Sequence, residues 1–289
     1  MYNVAIIGKD SYIGTNLACT LRKNAISVIE VESFDNKWVD FDFSSVDTVV
    51  HVAAIVHRKD INDPRIYDDI NVKLPIEIAK RAQAAGVKQF VFMSSMAVYG
   101  KGHVTENCCI EPGDPLSPTT LYAKSKMQAE SMLQNLIDNN MILSIIRPPS
   151  VYGRGCKGNL FDKYTKIANF LYLIPECEPS CFQGVLYIDN LSNAIFEIIR
   201  DRKSGCYHPQ DNDLLTTAEL LYKIRRHLGK KGSVSFWLGK AVSLLSSCSI
   251  YKKLFGSVYY SQDFKKQESL HSTMLSTDEG LRRMYEKEN

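Results

Sequence analysis

The most constraining stretch of this chain lies at its start. Residues 3–7 (NVAII) form a short apolar run that passes straight into Gly8-Lys9-Asp10-Ser11-Tyr12-Ile13-Gly14. Beyond that, Ile13, Leu17 and Leu21 recur on one helical face. A strand that turns through glycine into a helix gathers unpaired backbone N–H groups and the positive end of the helix dipole at one point. That arrangement favours a pyrophosphate. Gly8 permits the tight turn, and Gly14 lets the helix pack closely on the sheet. The amides of Ser11, Tyr12 and Ile13 lie between them. Glu32 ends a second β-branched run, 26–31. A carboxylate there accepts both ribose hydroxyls of an adenosine and repels a 2′-phosphate, so the pattern predicts NAD in preference to NADP. The middle position carries Ser11 where glycine is usual. Its Cβ should hold the backbone farther from a pyrophosphate, unless its hydroxyl donates a hydrogen bond.

Strand-like runs recur at 48–54 (TVVHVAA), 89–94 (QFVFMS) and 142–147 (ILSIIR), separated by helical segments at 63–86 and from Ser117-Pro118 to about 139. Strands alternating with helices predict an α/β fold, a Rossmann-type doubly wound parallel sheet covered on both faces. After Pro148 the pattern loosens. Turn residues crowd 148–159 and 175–179, and helices are expected at 190–200, 217–228 and 277–285. We expect one chain, 1–289, with a dinucleotide-binding core over about 1–150. A small mixed substrate cap takes up most of 151–289 and crosses back to the core. His51, inside a buried-strand pattern, reads as a hydrogen-bonded core histidine. Phe236, Trp237, Tyr259 and Tyr260 read as ordinary packing of the cap.

Charge and length narrow the function classes. The 289 residues carry 35 Lys plus Arg against 32 Asp plus Glu, a net +3. That balance points to neither nucleic acid nor an anionic membrane as the main partner. No run approaches the ~18 apolar residues of a membrane helix. The N-terminus opens into a strand with no basic region before it, which predicts no secretory signal. The eight cysteines form no CxxC pair, so reduced thiols and a cytoplasmic location are expected. Cys177 and Cys181 supply half of a metal site at most, and no metal is expected.

Tyr122 and Lys126 lie four apart in YAKSK, one turn apart on one face of the helix after Pro118. A phenol titrates near 10 in water, and a nearby ammonium lowers that value by favouring the phenolate. The tyrosine can then exchange a proton with a substrate hydroxyl or carbonyl. Ser94-Ser95 ends the strand from Gln89, at the edge where open parallel sheets bind ligands. A serine hydroxyl there can share the charge developing on the same substrate oxygen.

Together these motifs resemble the extended short-chain dehydrogenase/reductase superfamily, in its nucleotide-sugar epimerase/dehydratase branch. The residues that carry the resemblance are GKDSYIG (8–14), HVAA (51–54), Asn71 in INVKLP, SSMAVYG (94–100), YAKSK (122–126), RPPSVYGRG (147–155), CKGN (156–159), LYIDN (186–190) and STDEGLRRM (276–284). They span nearly the whole chain in the family's order. The run RPPSVYGRGCKGN is most similar to enzymes of bacterial capsule and O-antigen synthesis that act at carbon 4 of UDP-linked N-acetyl sugars. The resemblance implies Ser95 as a substrate-binding hydroxyl, Tyr122 as acid/base, and Lys126 as the group that binds the nicotinamide ribose and depresses the tyrosine pKa. It implies that Ala53, Ala54 and Ile55 pass under the cofactor. Asp40 would lie near the adenine, Asn71 near the cofactor-binding strands, Ser94 beside the cofactor, and Pro149 against the nicotinamide.

Two positions depart from the family's pattern. Ser150 stands where many sugar epimerases carry asparagine, and Gln183 where an arginine commonly grips the nucleotide diphosphate. If Gln183 does not serve, Arg154 and Lys157 are the candidates for that clamp, with Asn159 beside them. The segment 33–47 is also short enough for one helix of the usual fold to be missing. The expected activity is hydride transfer between NAD and carbon 4 of a nucleotide-linked hexose, UDP-linked by the resemblance, as 4-epimerase or 4-ketoreductase. The alternatives are a non-enzymatic dinucleotide sensor on the same fold and a reductase of a non-sugar carbonyl. A homodimer is allowed by this class.

Overall fold

Val4 and Ile6 pack on one side of the first strand and Ala5 and Ile7 on the other, and all four are fully buried. A strand apolar on both faces must be covered on both, so it lies inside a layered sheet. The computed structural model describes residues 2–34, 37–56, 63–101, 108–156, 160–176, 181–248, 251–252, 255–268, 270 and 274–286. Its first half runs β1 (Asn3–Ile7), α1 (Tyr12–Lys23), β2 (Ser27–Val31), a 3-10 turn (Lys37–Asp40), β3 (Thr48–His51), α2 (Pro64–Asp68), a π-helical turn (Asp69–Lys73), α3 (Leu74–Ala84), β4 (Gln89–Met93), a 3-10 turn (Met96–Tyr99), β5 (Cys109–Ile110), α4 (Leu121–Leu136) and β6 (Ile142–Ile146). The second half runs β7 (Ser150–Tyr152), α5 (Leu160–Phe170), β8 (Leu173–Pro175), β9 (Phe182–Gln183), β10 (Val185–Tyr187), α6 (Ile188–Arg200), β11 (Gly205–Tyr207), β12 (Leu215–Thr216), α7 (Thr217–His227), β13 (Ser233–Ser235), α8 (Phe236–Ser243), β14 (Tyr259–Tyr260), α9 (Gln262–Glu268) and α10 (Thr277–Tyr285).

Six strands form one parallel sheet in the order β11-β6-β4-β3-β1-β2. The chain leaves β1 for β2 on one side and returns to β3 on the other. The C-terminal ends of β1 and β3 therefore flank the topological switch point, where such sheets bind ligands. One face of the sheet is covered by Leu17 and Leu21 of α1 with Leu191, Ile195 and Ile198 of α6. The other is covered by Ile78 and Ala82 of α3 with Ala129 and Leu133 of α4. The remaining strands form two-stranded pairs, three within the C-terminal part and one joining β14 to β5. This is the Rossmann-type fold with a small cap.

Two details differ from the periodicity reading and a third agrees with it. The helix expected over 63–86 is broken by a π-helical turn immediately before Leu74-Pro75. Pro75 has no N–H to return to the carbonyl four residues back, and the Leu74 N–H reaches Asp69 O instead. β3 stops at His51, because the Val52 and Ala53 amides both turn onto Ile7 O. Among the described residues of 33–47 only the 3-10 turn is helical, in line with that segment's shortness.

The motifs at 186–190 and 276–284 meet at a buried polar seam. Asp211, fully buried, accepts from the Tyr152 hydroxyl at 2.9 Å, from Asn190 Nδ2 at 2.7 Å and from the Tyr187 amide at 3.0 Å. Asn190 also exchanges hydrogen bonds with the backbone of Leu275. These side chains fasten the C-terminal helix to the sheet rather than facing a ligand.

Candidate active site

The switch point is built from backbone. Gly8 has φ +119°, and a Cβ there would lie 3.0 Å from Ala53 N and from the Val52 side chain, so only glycine lets the two loops approach. Ser11 caps α1: its Oγ accepts from Gly14 N at 3.1 Å, and its φ of −72° needs no glycine. The departure at position 11 is thus accommodated. Its hydroxyl satisfies the Gly14 amide, which leaves the amides of Tyr12 and Ile13 as the first-turn donors without an intrahelical acceptor. Glu32, just past β2, folds its carboxylate back onto the amides of Ser33 (2.9 Å) and Phe34 (3.1 Å). Asp40 lies exposed at the end of the 3-10 turn.

Beyond β3, Ala53, Ala54 and Ile55 form the opposite wall, and Asn71 holds it in place. Asn71 is fully buried. It accepts from Ile55 N at 2.8 Å and donates to Ile55 O and to Ser125 Oγ, each at 3.0 Å. It therefore ties the loop to α4 from beneath and keeps no group for a cofactor. The cradle a Cβ would fill at Gly8, the unpaired helix amides and the carboxylate at the end of β2 suit a dinucleotide.

Ser95 and Tyr122 meet at the same edge. Thr120 caps α4, Tyr122 lies in its first turn, and the Ser95 hydroxyl hydrogen-bonds the Tyr122 phenol. Burial pushes the phenol up to about 12, against the opposing effect of Ser95. This corrects the expectation of a depressed tyrosine. Lys126 is too far committed to act on it: its ammonium donates to Met93 O at 2.7 Å and sits 4.6 Å over the Phe92 ring. Burial brings Lys126 down to about 7, with Glu130 opposing.

Several other residues named from sequence turn away from this edge. Ser94 is 2% exposed and donates its hydroxyl to Glu130, so its side chain lies below the site. Gln183 donates to Gly256 O and to Thr217 Oγ1 inside the cap. Arg154 reaches the carbonyls of Arg283 and Glu286 at the end of α10. Neither is aimed as a diphosphate clamp. Pro149 is buried and Ser150, on β7, is half-buried beside β10. Lys157 and Asn159 lie outside the described residues. His51 is buried as expected, stacked near Phe90 and Phe92, yet neither ring nitrogen has a hydrogen-bond partner among the described residues. Burial, then Lys126, holds its pKa down to about 3, so it is neutral.

With this geometry in place, similarity to known proteins becomes interpretable. Residues 4–179 match the model of the NAD dependent epimerase/dehydratase family. The chain belongs to that family. It is 28% identical over 254 residues to N-acetyl-alpha-D-glucosaminyl-diphospho-ditrans,octacis-undecaprenol 4-epimerase of Escherichia coli O157:H7, covering 79% of this chain and 73% of that protein. It is also 28% identical over 287 residues to UDP-glucose 4-epimerase of Vibrio cholerae, covering 88% of this chain and 82% of that one. Its fold is similar to the crystal structure of UDP-N-acetylglucosamine 4-epimerase from Bacillus cereus. The TM-score is 0.78 at 14% identity, over 99% of this chain and 98% of that one.

In this epimerase/dehydratase, one buried network was not foreseen from sequence. Glu130 pairs with Arg147 at 2.6 Å, Arg147 donates to the Tyr99 hydroxyl at 2.8 Å, and Tyr99 meets His208 Nε2 at 2.8 Å. His208 in turn meets Glu268 on α9. It joins β4, α4, β6 and the cap below Ser94. Its members are 17 to 109 residues apart, with no local spacing to mark them. Among the described residues no group of three or more His, Cys, Asp or Glu could hold a metal, and no helix is long and apolar enough to cross a membrane.

Proposed function

We propose that this chain is an NAD-dependent 4-epimerase acting on a hexose carried on a diphosphate. The observation that carries the reading is the Ser95–Tyr122 hydrogen bond set at the sheet edge beside the Gly8–Gly14 cradle. Both relatives named above are 4-epimerases. The amides of Tyr12 and Ile13 would receive the pyrophosphate, Glu32 the adenosine ribose, and Ala53 to Ile55 would lie beneath the dinucleotide. Bound NAD would supply the hydride acceptor and donor.

The chain's own groups then handle the proton. At neutral pH the phenol of Tyr122 is protonated and can donate to an oxygen on carbon 4 as that carbon is reduced. Ser95 Oγ holds the same oxygen and orients it. Oxidation needs the reverse transfer, from the sugar hydroxyl to Tyr122. That requires the Lys126 ammonium to leave the Met93 carbonyl and face the phenol, which would lower the phenol's pKa.

A second reading concerns the carrier. Gln183 and Arg154 are both held by internal partners, so neither offers the nucleotide-diphosphate grip expected from sequence. The relative from Escherichia coli O157:H7 is named for an undecaprenol diphosphate-linked sugar, and this puts a polyprenyl diphosphate carrier beside the nucleotide one.

The test is to denature the purified protein, identify what it releases, and then incubate it with UDP-linked and polyprenyl diphosphate-linked N-acetylglucosamine. Retained NAD and inversion at carbon 4 are expected. Consumption of added NADH without inversion would make it a 4-ketoreductase. Failure to bind any dinucleotide would overturn the reading.

A further inference from the structure

Two of the four cap aromatics expected to be ordinary packing are not packed. Tyr259 and Tyr260 are buried, but Phe236 is 38% and Trp237 78% exposed. Phe170 and Leu244 are more open still, at 83% and 85%. Phe236, Trp237 and Leu244 lie on or immediately after α8, and Phe170 ends the helix that leads into β8. β8 pairs with β13, and α8 lies so tightly on β8 that a side chain at Gly239 would collide with the Glu176 backbone. With Gly239 facing inward, Trp237, Lys240 and Leu244, at i, i+3 and i+7, share the outward face. Tyr172, just before β8, and Phe170, at the end of α5, are also exposed, at the start of the paired strands whose far end carries α8.

The charges around it have one dominant sign. Lys240 lies over the rings of Phe236 and Trp237, at 4.7 and 5.8 Å. Lys230 donates to Asn169 O beside Phe170. Lys163 and Lys166 precede Phe170 on the exposed face of α5, and Lys231 is exposed next to β13. Among the described residues, only Asp162 and Glu176 on these same segments oppose them. Large apolar side chains left exposed close together and rimmed by charge mark sites of interaction with a protein or a membrane.

We propose that this face seats the protein on the surface of an anionic lipid bilayer, lying on it and not spanning it. Tryptophan, tyrosine and phenylalanine flanked by lysine are the residues that settle at a bilayer interface. The rings enter the headgroup region and the lysine stems carry their charges to the phosphates. A second copy of the chain suits the face less well, because the lysines of two copies would meet. The net charge of +3 hides the site: the attraction is local to the cap.

The inference is independent of the carrier and of the catalytic reading, because its test uses no substrate. The full-length protein is floated with vesicles of phosphatidylglycerol and phosphatidylethanolamine, and with vesicles of phosphatidylcholine alone. It should rise with the anionic vesicles, be released by high salt, and show a blue shift of tryptophan emission. Of the two tryptophans, Trp38 is partly buried and lies beneath the Arg81 guanidinium, so the shift would report Trp237. Trp237→Glu with Leu244→Glu should cut partitioning about tenfold or more. Lys166→Glu with Lys240→Glu should remove the preference for anionic lipid. All four substitutions are at exposed positions, so melting temperature and NAD affinity should be unchanged. Absence of vesicle binding, binding indifferent to these variants, or a sedimentation mass that falls from dimer to monomer in Trp237→Glu would each overturn the proposal.

Discussion

On the core side of the site, the groups placed to meet a ligand are backbone amides at the start of α1, the Glu32 carboxylate and two hydroxyls, those of Ser95 and Tyr122. The side chains that fix them, Ser11 and Asn71, spend their own hydrogen bonds within the fold. On the cap side the polar side chains best placed by sequence, Gln183 and Arg154, are themselves the internal ties. At the start of α1 and at Asn71 the core separates holding from presenting, while Glu32 and Ser95 also bond nearby amides; in the cap the side chains expected to present are the internal ties themselves. A site of this kind can keep its dinucleotide chemistry fixed while its substrate end is redrawn, because the two ends depend on different bonds.

The largest test of that contrast is Tyr122→Phe. It removes one presented hydroxyl together with its bond to Ser95 and keeps the ring, so turnover should fall by about 10²–10⁴ while melting and NAD affinity change little. Near-normal turnover would move the acid/base elsewhere. Gly8→Ala attacks the holding side. The added carbon, at φ +119° and 3.0 Å from Ala53 N, should cost about 1–3 kcal/mol of strain, read as lost stability and weaker NAD binding by calorimetry. Glu32→Ala should narrow the preference for NAD over NADP by about tenfold, because one repulsive charge is lost. An unchanged ratio would take Glu32 out of the ribose site.

Lys126 gives a pH test. Its pKa is about 7 in the fold, against 10.5 as the ordinary value. Below 7 both states are protonated, and the cost of burying the charge is fully present. Between about 7 and 10.5 the unfolded chain binds the extra proton, so stability contributed by this group rises with pH. Cofactor-free Lys126→Met should show a flatter melting profile over that window than the native protein. Equal slopes would mean the ammonium is better solvated than its 1% exposure indicates. The smallest effects should come from the cap: Gln183→Ala should lose about 1–2 kcal/mol of stability and Arg154→Ala less, with KM for sugar unchanged in both. A large rise in KM would return either residue to the substrate.

What could be read in the sequence follows from how each feature is encoded. The sheet, its covering helices and the glycine turn are written in local periods of two and 3.6 residues and in residue types that the backbone demands, so they were legible. The Tyr122–Lys126 spacing was legible as a helix face. The direction of the Lys126 ammonium was not, because Met93 O is 33 residues away. Ser94 and Ser95 look equivalent in sequence. Glu130, 36 residues on, takes one inward and leaves the other at the edge. Gln183 meets Gly256 across 73 residues. Contacts at such separations leave no local pattern. The exposed face of α8 was missed for a different reason: apolar residues on a short helix have the same spacing whether their outward side meets protein, water or lipid.

The serine that caps the first helix carries a consequence for how this loop can vary. A methyl group at position 14 would lie 2.6 Å from Ser11 Oγ and 3.0 Å from Gly8 O. The hydroxyl that stands in for a missing glycine at 11 is therefore what makes glycine at 14 hardest to replace. Substitutions at the two positions should not be interchangeable in order. Gly14→Ala in the present background should be poorly tolerated, whereas after Ser11→Gly the Gly8 carbonyl and, at 3.3 Å, the Ile6 side chain would still resist it.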